Sequence, residues 1–588
     1  MLDPRVYRAA LLPVLLALIV VAFSLENRPG PLRTTLTADA FDAARAERLL
    51  ERLVAEYPDR PAGGAADTRL AGRIAGELRA VMPGVRVQRR VIDAATPDGD
   101  RELVTVLAQQ PGSAPSAQVV VVASRDAVGR GSAAQLSGTA ALIELARVVA
   151  ATRPSRSVTF ASVSGETGGQ GGMRDLVKVL DRPVDAVLEL GDMAGPVSDR
   201  LLIVPWSDAS GMAPMRLQRT VALALRQEAG IDAGAPRART ELARLAWPWS
   251  ASGQGVANVA GLPAVRLSAS GEPPPAADAP VSTERMGDFG RAALRSVIAL
   301  EEGPRAGSAP VRDLAVARKM LPAWAVRLLV LALLLPPLLT VFDAVARSRR
   351  RREPLRPWLG RILVLAVPFA LALLFARGLG LTGAVPATAP PPLPDAAPLD
   401  GGAWAAIGCT LAAIVLSWLL VRPLTVGRAG GADPGEAPGA PLAPLVVLLA
   451  VALVAWIVNP YAALLLVLPA NLWLLTATRE TRLAPALLVV LVLLSLVPVL
   501  LVLLSTAGQL GVGITEIPWL VLLWVAGGQA GPLALACCAL TAAALAGALR
   551  SAASPRSPAG GTPAITVRGP SSYAGPGSLG GTDSALRG

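Results

Sequence analysis

The sequence predicts a three-layer α/β sandwich with a mixed, largely parallel central sheet, joined to an α-helical membrane domain. Three observations carry this. Short apolar runs that read as strands alternate with helix-period segments across residues 30–318. Most of 319–549 is Leu, Val and Ala, in stretches near the roughly 20 residues that a bilayer crossing needs. The chain as a whole is 53% hydrophobic and 17% charged, with a mean hydropathy of +0.50, too apolar for an ordinary soluble protein.

At the N-terminus, Arg5 and Arg8 precede an apolar run from Ala9 to Leu25, the pattern of a signal peptide or a signal anchor. No small-x-small cleavage site stands after Phe23, which favours an uncleaved anchor over residues 1–29 and places residues 30–318 outside the cytoplasm. In 30–318, Asp39 to Val54 has helical periodicity, the loop Arg60-Pro61-Ala62-Gly63 is turn-rich, and Asp67 to Val81 is a second amphipathic helix. Short strands are expected near Val85–Val91 and Leu103–Ala108. Gln118 to Ser124 is continuously apolar, as in a strand covered on both faces. Gly138 to Thr152 is a helix with Leu142, Leu145 and Val149 on one stripe. Ser157–Val163 and Ala186–Leu190 are further buried strands, Pro263–Leu267 is a late strand, and Ser282–Glu302 is a closing helix.

Apolar spans come next at about 321–342, 359–376, 403–421, 442–458, 461–477 and 482–505, with one more within 517–549, so that residues 319–550 form a membrane domain. With the anchor this makes eight, plus or minus one, because Gly527-Gly528 and Gly531-Pro532 break the last region. The basic segments 347–361, Arg422–Arg428 and Arg479–Arg482 fall on one side, and the Pro-rich loop 384–399 falls on the other. The positive-inside rule then places both termini in the cytoplasm of a multi-pass cell-membrane protein. Residues 551–588, rich in Gly, Ser, Pro and Ala, read as a disordered tail.

Net charge is +12 and the pI is about 10.8. The arginines cluster between apolar spans, without the interleaved aromatics that stack bases, so the expected partner is anionic membrane lipid and not nucleic acid. The chain has no histidine, and its three cysteines, Cys409, Cys537 and Cys538, all lie in apolar spans. The outer domain therefore has neither a disulfide framework nor a thiolate metal site. Charged residues are almost absent from the spans. Asn459 and Asn471, each near a proline, read as helix glue.

Five short motifs stand in a telling order: Val119 to Asp126; Leu136-Ser137-Gly138-Thr139 leading into a helix; Ser164-Gly165-Glu166; Gly191-Asp192-Met193-Ala194-Gly195; and Ala260-Gly261-Leu262-Pro263-Ala264-Val265. Over residues 40–300 this resembles the di-zinc aminopeptidase family that includes bacterial aminopeptidases, carboxypeptidase Q and the peptidase-like domain of the transferrin receptor. The resemblance implies two zinc ions, a bridging aspartate and a glutamate base. It places the first His ligand on Ser124 and keeps Asp126 of the same motif. The bridging aspartate falls on Ala134, the base on Glu166, a carboxylate ligand on Thr167, an aspartate ligand on Asp192, and the Ser-Asp-His segment on Ser252-Gly253-Gln254. One of five ligands, Asp192, is thus retained. Ser, Thr and Ala cannot replace the three or four good donors that zinc needs. No Gly-x-Ser-x-Gly elbow is present, and the run Gly168 to Gly172 lacks the Gly-Lys-Ser/Thr ending of a phosphate loop.

The expectation is a membrane-anchored pseudopeptidase without a metal or other cofactor, whose old cleft binds a peptide or protein partner. Ala, Arg and Gly richness points to a bacterial origin. Two alternatives stand beside it: a metallo-hydrolase with a rearranged site using Asp126, Glu166 and Asp192 together with zinc, and a transport or assembly scaffold.

Overall fold

The computed structural model describes residues 3–114, 117–129, 131–180, 182–233, 237–428, 439–477 and 483–554. Arg479–Arg482 and the tail beyond residue 554 lie outside the described residues.

Ten strands are described: β1 (Glu26–Asn27), β2 (Val87–Thr96), β3 (Gly99–Gln110), β4 (Gln118–Ser124), β5 (Ser157–Val163), β6 (Val184–Leu190), β7 (Ile203–Val204), β8 (Ala264–Leu267), β9 (Leu314–Val316) and β10 (Lys319–Leu321). Seven of them form one sheet in the order β2-β3-β5-β4-β6-β8-β7. The central strands β5, β4, β6 and β8 run parallel, and antiparallel neighbours close both edges. The unbroken apolar run of β4 is explained by its place. Val119, Val121 and Ala123 point into the larger core, with helices Ala43–Glu56, Ala65–Val81, Ala133–Ala150 and Thr283–Glu302. Val120 and Val122 point the other way, into a smaller core with Gly171–Val179 and Gly253–Val259. Alternate residues are thus buried on opposite faces, and polar positions would cost on either.

Three details differ from the sequence reading. The first hairpin is longer than expected: β2 and β3 pair over ten positions, because this edge strand is exposed on both faces and so tolerates Arg89, Arg90 and Asp93. The helix expected from Gly138 starts at Ala133, capped by Ser132, whose Oγ accepts the Gln135 amide at 3.1 Å. Ala134 therefore lies in its first turn. The last apolar region is two helices, Ile517–Ala526 and Pro532–Ala553, separated at the Gly-Gly and Gly-Pro breaks.

Among the described residues, nine helices are long and apolar enough to cross a membrane by length and composition. One of these, Ala133–Ala150, is buried inside the α/β body. The others are Pro4–Phe23 and seven helical segments after residue 322. Leu16, Phe342, Leu374, Leu420 and Leu501 stand exposed on their outward faces, a surface suited to lipid. A small antiparallel sheet, β1-β10-β9, ties the end of the first helix to the start of Ala323–Arg350.

The two halves pack together. Trp249 and Ala251 share a buried cluster with Leu393, Leu510, Val512 and Leu520, and Trp247 meets Trp524 edge-on at 5.7 Å. Asn459 caps the helix Pro460–Leu472 and donates to the Leu245 carbonyl at 2.8 Å. Asn471 accepts from the Tyr7 hydroxyl at 2.9 Å, joining the first helix to the bundle.

Candidate functional site

The parallel strands end together, and the loops leaving β4, β5, β6 and β8 converge there, as in other open α/β sheets. The motif residues meet at this edge. Ser124 closes β4. Asp126, two residues on, is 1% exposed, and its carboxylate accepts the amides of Gly165, Glu166 and Thr167 at 2.9, 3.2 and 3.0 Å. Both of its oxygens therefore shape the loop after β5. Burial pushes its pKa up to about 6, helped by the charges of Asp67 and Glu166 and opposed by those amides. Beneath it, Arg125 pairs with Asp67 at 2.7 Å, and Arg60 donates to the Arg125 and Ser132 carbonyls at 2.9 and 3.1 Å. The Arg60-Pro61 loop is in this way clamped to the strand end.

Asp192 lies just past β6 and is 1% exposed. Its Oδ1 accepts the Ala194 and Gly195 amides at 3.0 and 2.7 Å, whereas Oδ2 has no hydrogen-bond partner. Burial raises its pKa against the pull of those amides. Gln254 is wholly buried. Its side chain bonds Ser250 and Ser252, both at 2.7 Å, and its amide donates to Glu189 Oε2 at 2.5 Å. Thr167 lines the cleft, and Ala134 is fully buried.

Two residues at the centre were missed by the motif reading, Arg266 on β8 and Glu189 on β6. Arg266 is 3% exposed. Its Nη1 pairs with Glu189 Oε1 at 2.8 Å and with Glu166 Oε1 as well. Gly191 makes room for it, since a Cβ there would lie 2.7 Å from Arg266 Nε. Burial alone would lower the Arg266 pKa, but the two carboxylates overcome that and hold it above the ordinary guanidinium value. For Glu166, burial and the Glu189 charge outweigh Arg266, and its pKa is raised. A signal for both residues was available: each is the one charged side chain in an otherwise apolar strand core, Leu188-Glu189-Leu190 and Ala264-Val265-Arg266-Leu267.

A second buried pair borders the cleft, which Glu272 helps to line. Arg244 pairs with Glu272, whose Oε1 accepts the Ser250 hydroxyl at 2.7 Å, and Arg244 Nε donates to Gln509 Oε1 of the helical half at 3.1 Å. The cleft is a cavity of about 290 Å³ lined by Ser132, Gln135, Glu166 and Thr167 from the α/β body. Its far wall is Pro391, Leu393 and Asp395, from the Pro-rich loop of the helical half. That loop is held across the site: Gly169 donates to the Pro390 carbonyl at 3.2 Å, Arg174 donates to the Ala389 carbonyl, and Thr388 is buried.

Zinc needs three or four nitrogen, sulfur or carboxylate donors at about 2.0–2.3 Å. Here Ser124 and Thr167 offer hydroxyls, Ala134 a methyl, and Gln254 an amide already engaged by serines. Asp126 holds a loop, and Glu166 holds an arginine. Among the described residues, no group of three or more His, Cys, Asp or Glu side chains is placed to hold a metal ion. These residues do not fit a di-zinc centre.

Residues 105–238 match the family model described as Peptidase family M28. The chain thus carries a domain of the peptidase class that its motifs resemble, joined to long apolar helices. No curated protein matches the chain. Among solved structures it is similar to a glutaminyl cyclase from an Acidobacteriales bacterium, at 15% identity and a TM-score of 0.34, over 47% of this chain and 97% of that one. It is similar to the LapA aminopeptidase of Legionella pneumophila at 16% identity and a TM-score of 0.36, over 45% and 73%. A leucine aminopeptidase precursor from Bacteroides thetaiotaomicron gives 14% and 0.34, over 44% and 97%.

Proposed function

We propose that this is a membrane-anchored peptidase-like protein whose cleft holds a peptide or protein partner without cleaving it. In this reading residues 30–318 lie outside the cytoplasm, residues 319–550 span the membrane, and both termini are cytoplasmic. The observation that carries it is the bridging of Glu166 and Glu189 by Arg266. A hydrolytic base must be free to take a proton from a metal-activated water. At this site a fixed cation already neutralises the base position, and the nearby carboxylates Glu189 and Asp126 are engaged by Arg266 and by backbone amides. The Pro-rich wall supports a binding role, because any occupant of the cavity touches both halves of the chain.

The test uses the full chain in detergent. Zinc content is measured by elemental analysis, with thermal unfolding at increasing zinc and turnover of aminoacyl substrates. A ligand present at a hundred times its Kd would stabilise the native state by about 2.7 kcal/mol. The expected result is no bound zinc, no stabilisation and no turnover. Tightly bound zinc with turnover would overturn the reading and restore the hydrolase.

A further inference from the structure

Five arginines are buried among the described residues: Arg60, Arg125, Arg244, Arg266 and Arg361. Four of them have acceptors. Arg60 is held by carbonyls, and Arg125, Arg244 and Arg266 pair with Asp67, Glu272 and the Glu166–Glu189 pair. Arg361 differs. It is 7% exposed and its guanidinium stacks 5.4 Å from the centre of the Trp358 ring, yet no hydrogen bond or ion pair reaches it among the described residues. The charged side chain it faces is another cation, Arg550 of the helix Pro532–Ala553. Glu353, the carboxylate of the nearby linker, forms an ion pair with neither, and Asp343 is taken by Arg347. A buried cation turned towards a second cation is unfavourable unless an anion lies between them.

The surroundings are built for close packing. Gly547 lets the helix Pro532–Ala553 approach Arg356–Leu381, since a Cβ there would lie 2.4 Å from Ile362 Cδ1 and 3.0 Å from Pro444. Ser551 donates to the Ala440 carbonyl at 3.3 Å, closing the third side with the helix Gly439–Val458. The start of Arg356–Leu381 carries no side-chain cap, so its first amides add to the positive field. Three helix ends thus meet where the basic linker 347–361 lies, and neither Arg361 nor Arg550 has a counter-charge there among the described residues.

We propose that Arg361 and Arg550 bind a phosphate group between these helices. Guanidinium is the side chain best matched to phosphate oxygens, and Trp358 fixes the plane of the Arg361 fork. The phosphate belongs to an anionic phospholipid headgroup or to a soluble phosphate ion, and the experiment separates the two.

The full chain is purified in a neutral detergent, stripped of lipid, and titrated by native mass spectrometry with phosphatidylglycerol, phosphatidylcholine or inorganic phosphate. Arg361→Gln, Arg550→Gln and the exposed control Arg350→Gln are compared. For a lipid site, one phosphatidylglycerol is retained in preference to phosphatidylcholine. Each site variant weakens it by about tenfold to a hundredfold, the worth of a hydrogen-bonded charge, and the control leaves it unchanged. For a soluble-phosphate site, inorganic phosphate binds with the same dependence on Arg361 and Arg550 while the lipids do not. The proposal is overturned if the two site variants bind every probe as the unaltered chain does, or if Arg350→Gln weakens binding as much as they do. If Arg361→Gln fails to fold, Arg550→Gln, at an exposed position, decides alone.

Discussion

Replacing Arg266 by glutamine would remove the cation that Glu166 and Glu189 share and leave two buried carboxylates facing each other. Breaking a buried ion pair by removing one partner costs about 3–5 kcal/mol. The upper part of that range is expected here, because one guanidinium serves two acids and the Cβ-free Gly191 beneath it leaves a void. Burial already raises the Glu166 pKa, and without the guanidinium Glu166 would take up a proton more readily, so the loss should be larger at pH 8 than at pH 5. Glu166→Gln alone should cost less, since Arg266 keeps Glu189. Added to the arginine variant, it should restore part of the lost stability by removing one stranded charge. The assay is thermal unfolding of the full chain in detergent, monitored by tryptophan fluorescence, with Trp206, Trp247 and Trp249 reporting on the α/β body. A double-mutant cycle in which the two substitutions simply add, or an arginine variant that loses under about 1 kcal/mol with no pH dependence, would refute the reasoning, since contacting residues normally couple more strongly.

Two further outcomes are expected. Glu241 and Asp208 both have pKa values pushed up to about 7 by burial, against the Ala315 and Ser250 amides that each accepts. Their ordinary values are 4.5 and 3.8, so the native state holds more protons than the unfolded chain near neutrality. Stability should therefore fall as pH rises through 7, by about 1.4 kcal/mol for each group between pH 6 and pH 8, and a melting series across that range checks the sign. Leu393→Ala, in the Pro-rich wall, should cost about 2–4 kcal/mol of local packing against Trp249, Leu510 and Leu520. Hydrogen exchange should then speed up across 165–170 and 388–396, with β4 and β6 still protected. Unchanged exchange at the Gly169 amide would show that the wall does not hold the loop.

What the sequence by itself determined is whatever rests on local pattern. The apolar run of β4, the helix-period segments and the long Leu-rich spans are set by neighbours a few positions apart, and these gave the α/β body and the long apolar helices. Motif order showed the peptidase likeness, because strand-end motifs keep their sequence whichever residues face them. The Pro-rich segment could be read only as a loop; that it forms a wall of the cleft depends on contacts between residues more than 200 positions apart, such as Arg174 with Ala389. Length and composition alone would pass Ala133–Ala150 as a membrane span; the strands and motifs on either side placed it in the α/β body, where the structure has it buried. Only the tertiary structure decided the state of the site. Glu166, Glu189 and Arg266 come from three separate segments, and a charge in an apolar strand is explained only when its counter-charge on the next strand is seen. Arg361 is the converse case: the fold buries a charge and supplies no partner among the described residues, which no reading of the linear basic cluster could distinguish from its solvated neighbours.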